Sequence, residues 1–220
     1  MIRRLAVSLA LVWAMAAPAG AAANDVDGLL QRLGDAYEGL TSLSTEFTQE
    51  TRFPGFSKGR VFGGTLELVR PDRMRWDYSQ GSRQQLYVAS RQVILFAPDS
   101  SQAIISELSP ASDRQVPLHL LADVTGIRDT YHVTPGDGGY ALKLTPIEPH
   151  PQAPETIQLW LDPDTGLIRR VRLDLPGGSS SDITFSGLRA NAPVDAARFR
   201  FTAPEGVHVV RPHGLFPKAH

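Results

Sequence analysis

The stretch of sequence that decides the fold runs from Gly64 to Tyr78 and reads GTLELVRPDRMRWDY. Side chains along a strand alternate between two faces, so two leucines precede Arg70 on one face of a first strand. After the break at Pro71, methionine, tryptophan and tyrosine share one face of a second strand. A guanidinium in the register of an apolar face is costly to bury unless its donors are satisfied. Arg70 is therefore expected either to emerge at the strand end or to bond groups placed for it.

The first two dozen residues have the pattern of an export signal. Two arginines are followed by an apolar stretch, Leu5–Ala17, that is too short to span a membrane comfortably. Small residues then fit cleavage near Ala23, with Ala21 as a competing site. We expect residues 1–23 to be removed as a signal peptide and residues 24–220 to form one exported domain.

Composition excludes several kinds of chemistry. The chain has no cysteine, which excludes disulfides, thiolate catalysis, cysteine-bound metals and attachment of lipid to the protein itself. The net charge of -1, from 22 basic and 23 acidic residues, provides no overall field for nucleic acid or an anionic membrane. We therefore expect no nucleic acid partner.

Periodicity predicts one long helix followed by many strands. Apolar residues at helical spacing predict a helix over about 25–40, and the spacing over 116–123 predicts a second, shorter helix. Turn residues join most of the strand-like runs as hairpins, which indicates an antiparallel meander curved strongly enough to need the helices as caps. The predicted strands are Leu43–Thr51, Arg60–Val69, Arg73–Tyr78, Gln85–Ala89, Gln92–Ala97, Gln102–Leu108, His132–Thr134, Tyr140–Thr145, Thr156–Asp162, Leu167–Leu175, Asp182–Leu188, Arg198–Thr202 and Val207–Val210.

Catalytic patterns are weak throughout the sequence. The six histidines show no metal-ligand spacing. Ser57 matches G-x-S-x-G in Gly55–Gly59, but this stretch joins two predicted strands, and the nucleophile elbow requires a strand followed by a helix. Asp162 and Asp164 form a pair of carboxylates, but their setting in Asp162–Gly166 is better explained by turn chemistry. The sequence predicts neither catalytic residues nor a metal site.

Several motifs in order along the chain resemble the LolA family of periplasmic outer-membrane lipoprotein carriers. They are Phe47–Gln49, Arg70-Pro71 followed by Met74 and Trp76, Pro117-Leu118 with the leucine-rich helix, and Phe199–Val207. Each motif is degenerate, so their common order over essentially the whole mature chain carries the resemblance.

This resemblance implies a mainly β fold, an incomplete antiparallel β-barrel of about 11 strands that does not close and is covered by a helical lid. It implies a non-enzymatic monomer without cofactor in the periplasm. Such a protein receives acylated lipoproteins from the inner-membrane Lol ABC transporter, buries their acyl chains in an apolar cavity and passes them to the outer-membrane receptor LolB.

The resemblance also implies roles for individual residues. Arg70 matches an arginine that locks the lid by bonding its carbonyl groups in the empty form, so we expect those carbonyls in or beside 110–124. Met74 stands where the family has an aromatic residue at the cavity mouth, and this chain departs there with a softer, adaptable side chain. The residues expected to line the acyl-chain cavity are Leu33, Tyr37, Leu66, Leu68, Met74, Trp76, Leu108, Leu118 and Leu121.

Alternatives remain open at this point. Without the resemblance, Arg70 reads as a strand-end arginine that bonds its own turn, and Met74 and Trp76 as ordinary core. A carrier for another lipid or glycolipid, or a module that senses periplasmic lipid or lipoprotein, would share the architecture. A LolB-type receptor is disfavoured by the missing cysteine, and an esterase is least favoured.

Overall fold

The computed structural model describes residues 25–107, 119–122, 124–151 and 153–211. The expected signal peptide, residues 1–23, lies outside these ranges, as do half of the predicted helix over 116–123 and the C-terminal 212–220. Among the described residues, no helix combines the length and the apolar character needed to cross a membrane.

Helix α1 spans Val26–Glu38 and confirms the first predicted helix. The Asp25 side chain caps its start by accepting a hydrogen bond from the backbone N–H of Asp27 at 3.2 Å, an arrangement that contributes about 1 kcal/mol. Leu29, Leu33 and Tyr37 lie on one stripe and are buried. The helix therefore presents a single apolar face to the rest of the protein. Two one-turn helices follow much later, α2 (His119–Ala122) and α3 (Ile127–Thr130).

Within the described part of the chain, twelve strands form one sheet. The strands are β1 (Ser42–Arg52), β2 (Arg60–Val69), β3 (Arg73–Gln80), β4 (Gln85–Ala89), β5 (Gln92–Ala97), β6 (Gln102–Glu107), β7 (Tyr131–Pro135), β8 (Ala141–Pro146), β9 (Thr156–Leu161), β10 (Ile168–Asp174), β11 (Ser180–Ala190) and β12 (His208–Val210). Their order across the sheet is β12-β6-β5-β4-β3-β2-β1-β11-β10-β9-β8-β7. Strands β1 to β6 form one meander and strands β7 to β11 form a second. The pairing of β1 with β11 joins the two meanders into one sheet. The sheet does not close, because β12 and β7 stand at opposite edges. The predicted unclosed, mainly β fold is confirmed, with 12 strands instead of about 11.

The sheet curls around α1. Leu33 belongs to one buried cluster together with Leu66 of β2 and Leu159 of β9. Three strands lie between β2 and β9 in the sheet, so in a flat sheet these two strands would be about 19 Å apart. The end of α1 nevertheless accepts a hydrogen bond from Arg70, which follows β2, and the same helix contacts β8, which lies one strand beyond β9. The sheet must therefore curve strongly. The concave face therefore contains the core.

The C-terminal segment departs from the sequence prediction. A strand was predicted over Arg198–Thr202, and this is wrong: Ala196–Phe199 is a 3₁₀ turn whose start is capped by Asp195. Phe199 is buried, and Phe201 lies against the rings of Tyr87 and Phe96, at 5.5 and 5.3 Å between centroids. The alternating phenylalanines that resemble a strand in sequence come instead from a segment that lies across the convex face.

Beyond this segment, β12 pairs with β6 and runs parallel to it, the one parallel pair of the described sheet. The meander predicted from the sequence was antiparallel throughout. A parallel partner is possible here because the chain crosses the convex face before it reaches the edge, instead of turning back through a hairpin.

Charged residues hold the segment on the convex face. Arg198 pairs with Glu67, and Arg75 donates to the carbonyl of Arg198 at 2.8 Å. Arg75 also pairs with Asp77 at 2.9 Å. Glu67, Arg75 and Asp77 alternate with the apolar residues of β2 and β3, so their side chains point away from the core. The two faces of the same strands thus separate the polar residues from the buried cluster.

Candidate functional site

The candidate site is the apolar concave face together with the last turn of α1. Seven of the nine residues expected to line a cavity are described, and all seven are buried in the one cluster: Leu33, Tyr37, Leu66, Leu68, Met74, Trp76 and Leu121. The other two, Leu108 and Leu118, lie outside the described residues. The structure therefore brings together every expected lining residue that it describes.

Strands β2 and β3 place four of these side chains side by side. In their antiparallel register Leu66 faces Trp76 and Leu68 faces Met74. The exposed fractions of Leu66 and Leu68 are 1% and 0%. The indole N–H of Trp76 points to the Met74 sulfur at 3.0 Å, so the polar atom of the tryptophan has a partner without breaking the apolar surface.

Aromatic residues that the sequence interpretation did not assign to the site complete this surface. The ring of Trp76 lies edge-on to Phe47 of β1, with 4.8 Å between centroids, and 6.1 Å from Phe185 of β11. Tyr78 lies 5.0 Å from Phe47. The signal for Phe47 and Phe185 was the alternation within two predicted strands, but the sequence does not show that β1 and β11 are neighbours.

Arg70 follows β2 at the edge of the concave face. Its backbone N–H donates to the carbonyl of Thr41 at 2.9 Å, which continues the β1–β2 pairing by one residue. Its guanidinium Nη1 donates to the carbonyl of Tyr37 and lies 3.4 Å from the carbonyl of Leu40. Carbonyl groups at the end of a helix lack partners within the helix and carry the negative end of its dipole. The cation therefore lies where the C-terminus of α1 attracts positive charge.

The expected contact between Arg70 and 110–124 stays a prediction, because most of that segment lies outside the described residues. The acceptors that are described belong to the end of α1, which sequence reasoning did not single out. Tyr37 connects the two groups of residues, since its side chain is in the buried cluster while its carbonyl accepts from Arg70. Burial raises the pKa of the Tyr37 phenol above its ordinary value, and the positive charge of Arg70 opposes this with a smaller effect.

Because the phenol of Tyr78 is largely buried, we expect the free energy of unfolding to fall at alkaline pH. Burial raises the pKa of its phenol from 10.0 to about 12. The unfolded chain releases this proton near pH 10 and the folded protein retains it to higher pH, so stability is lost as the pH rises from 10 to 12. The loss from this residue reaches about 2 kcal/mol at pH 12. Urea unfolding between about pH 9 and pH 12 measures it.

The control is Tyr78→Phe, which removes the ionisable group and a hydrogen bond to the Gln49 side chain of 2.9 Å. We expect this variant to lose about 1 kcal/mol near pH 9 but to have a shallower decline above pH 10. Equal slopes for both proteins would contradict a buried, neutral phenol.

The described residues offer no metal centre. They contain no group of three or more histidine, aspartate or glutamate side chains arranged to hold an ion. Asp162, one of the paired carboxylates, accepts from the backbone N–H groups of Asp164 and Thr165 at 3.1 and 2.9 Å. The interpretation of this residue as part of a turn is confirmed.

The fold and the site define a class of protein. Its members have an open β-sheet that curls around a helix, with apolar side chains gathered on the concave face. A model of the family described as "Outer membrane lipoprotein carrier protein LolA" matches residues 38–202. The chain belongs to the LolA family, as the order of its motifs predicted. This family consists of carriers and not enzymes, so the prediction that the chain is not an enzyme is confirmed, and its members are periplasmic.

Relatives of nearly equal length support the family assignment. An outer-membrane lipoprotein carrier protein of Pseudomonas syringae pv. syringae is 28% identical over 209 residues, which cover 94% of this chain and 98% of the relative. One of Chromohalobacter salexigens is 28% identical over 211 residues, which cover 93% and 99%. The crystal structure of an uncharacterized conserved protein from Thermus thermophilus is similar with a TM-score of 0.51. It is 13% identical and covers 84% of this chain and 98% of its own, a likeness of fold alone.

Proposed function

We propose that this protein carries acylated lipoproteins across the periplasm from the inner-membrane Lol ABC transporter to the outer-membrane receptor LolB. It acts as a monomer, a single carrier domain of residues 24–220 after removal of the signal peptide. The observation that carries the proposal is the continuous apolar surface formed by α1, β2 and β3, in a chain that belongs to the LolA family.

The cargo explains why an apolar concave face is useful. Exposing one methylene group of an acyl chain to water costs roughly 0.8 kcal/mol, so a single chain of ordinary length costs on the order of 10 kcal/mol. Unassisted transfer through the periplasm is therefore negligible. Leu66, Leu68, Met74 and Trp76 offer a surface of the same polarity as the acyl chains, and the proposed cavity includes the other expected lining residues.

Release requires that this binding be reversible. We assign Arg70 the role of a latch that holds the end of α1 against the sheet in the empty protein, through the carbonyls of Tyr37 and Leu40. A hydrogen bond from a charged group contributes roughly 1.5–3 kcal/mol, which is small enough to break when cargo enters. Met74 favours reversible binding in another way, because its flexible thioether can adapt to different acyl chains.

Brominated acyl chains offer a direct test, since bromine quenches a tryptophan only on close contact. Trp76 lies on the concave face, whereas Trp160 lies on the other face of β9, with its ring under Arg170 at 4.3 Å. A Trp160→Phe variant reports on Trp76, and a Trp76→Phe variant reports on Trp160. We expect a synthetic lipopeptide with brominated acyl chains to quench most of the emission of Trp76 and little of that of Trp160.

The titration uses protein purified from the periplasm. We expect Trp13 to have been removed from it with the signal peptide, so that only Trp76 and Trp160 emit. The same lipopeptide with unbrominated chains is the control for indirect effects on emission. Equal quenching of both tryptophans would contradict binding in the concave face. Quenching by a brominated glycolipid but not by the lipopeptide would favour the alternative of a carrier for another lipid.

A further inference from the structure

The hairpin that joins β1 to β2 ends in two exposed aromatic residues. Phe56 is 75% exposed and Phe53 is 44% exposed. The backbone N–H of Phe56 donates to the carbonyl of Phe53 at 3.2 Å, which closes a four-residue turn around Pro54 and Gly55. We call residues Phe53–Arg60 the aromatic tip.

The turn holds the two phenylalanines next to each other. Gly55 at its third position has the positive φ, +81°, that a type II turn requires, and proline is common at the second position of such a turn. The first and last Cα atoms of such a turn lie within about 7 Å. Pro54 also lies close to the neighbouring loop, since a Cβ at Gly178 would meet its ring at 3.4 Å. The backbone that carries the aromatic pair thus forms a defined turn.

The charge around the aromatic pair is positive. The segment from Arg52 to Arg60 contains three basic residues and no acidic residue. Arg52 is neutralised by Glu50, with which it forms hydrogen bonds of 2.9 and 3.1 Å. Lys58 and Arg60 are exposed, and neither forms an ion pair with another described residue. The aromatic tip therefore combines apolar surface with a net charge of about +2.

This combination fits the surface of a bilayer that contains anionic phospholipid. Interfacial binding increases with the apolar area that enters the headgroup region and with basic residues near anionic headgroups. A stable protein interface needs at least roughly 1,000 Å² of buried surface, more than two side chains on a projecting turn supply. We propose that the aromatic tip docks this protein, weakly and reversibly, on an anionic membrane surface.

Flotation of the full mature protein with lipid vesicles tests this proposal. The vesicles contain phosphatidylethanolamine with about one quarter phosphatidylglycerol, and vesicles of phosphatidylcholine alone are the comparison. We expect the wild type to float with the anionic vesicles. Phe56→Ser should lower the partition coefficient about tenfold, because most of this side chain is exposed in the free protein and enters the interface. Lys58→Gln combined with Arg60→Gln should lower it only on anionic vesicles at low salt.

Val210→Ser is the matched control, since it removes an exposed apolar side chain at the edge strand and should leave flotation unchanged. Failure of the wild type to float, or equal losses from Phe56→Ser and Val210→Ser, would overturn the proposal. So would a Phe56→Ser protein that floats normally but fails to bind a protein partner. Cargo binding is measured separately by tryptophan quenching, so failure of the membrane proposal and failure of the carrier proposal remain distinguishable.

Discussion

Arg70→Leu is expected to slow the transfer of a bound lipoprotein to its acceptor by at least about tenfold. The guanidinium bonds the end of α1, and in the proposed latch these bonds stabilise the empty protein. Their loss removes about 1.5–3 kcal/mol from the empty form, which corresponds to roughly a tenfold to hundredfold shift towards the cargo-bound form. Cargo should therefore bind more tightly and leave more slowly.

The measurement is the rate at which purified carrier with bound lipoprotein passes its cargo to LolB. Arg73→Leu is the matched control, because it removes the same charge two residues after Pro71 from a side chain in the register of the convex face. Arg70→Lys keeps the charge but replaces the planar donor group, and an intermediate rate is expected. Wild-type transfer by Arg70→Leu would show that the contact with α1 is structural and does not act as a latch.

Gly64→Ala is expected to destabilise the folded protein by about 3 kcal/mol or more. Gly64 lies in β2 beside a β-bulge, opposite Tyr78 of β3. A Cβ at this position would lie 1.8 Å from the carbonyl oxygen of Asp77 and 3.0 Å from the Cα of Tyr78. These are backbone atoms of the paired strand, so relief of the clash requires the two strands to separate locally. Unfolding by urea measures the loss.

A second glycine provides the comparison for this experiment. Gly34 lies on the exposed side of α1, and a Cβ there would have no heavy atom within 4 Å. Gly34→Ala should stabilise the protein by up to about 1 kcal/mol, because alanine is the better helix former. Two alanine substitutions of opposite sign would locate the effect in the contact between β2 and β3. A loss of less than about 1 kcal/mol for Gly64→Ala would show that the bulge can open at little cost.

Local sequence signals were sufficient for most of the elements. The apolar stripe through Leu33 and Tyr37 predicted α1, and alternating residues predicted the strands near their observed ends. These signals depend on residues close together in the chain, such as the spacing of apolar residues along a helix or the residues of a hairpin turn. The same alternation placed Leu66, Leu68, Met74 and Trp76 on one face before their neighbours were known.

Signals of the same kind misled at the C-terminus. Phe199 and Phe201 alternate like strand residues, but their apolar partners are on the convex face of a sheet formed by earlier parts of the chain. An alternating pattern reports that every second side chain is covered, and it does not report whether strand pairing or a sheet surface covers it. The parallel pairing of β12 with β6 could not be predicted from the sequence for the same reason.

Arg70 shows what the sequence determines and what only the tertiary structure determines. The sequence by itself determined that a cation stands in the register of an apolar face and that its donors need acceptors, because alternation and the cost of burying charge are local properties. Only the tertiary structure decided that the carbonyls of Tyr37 and Leu40 accept from it. That contact spans about thirty residues of chain and depends on how the curled sheet docks α1, which no pattern within either segment encodes.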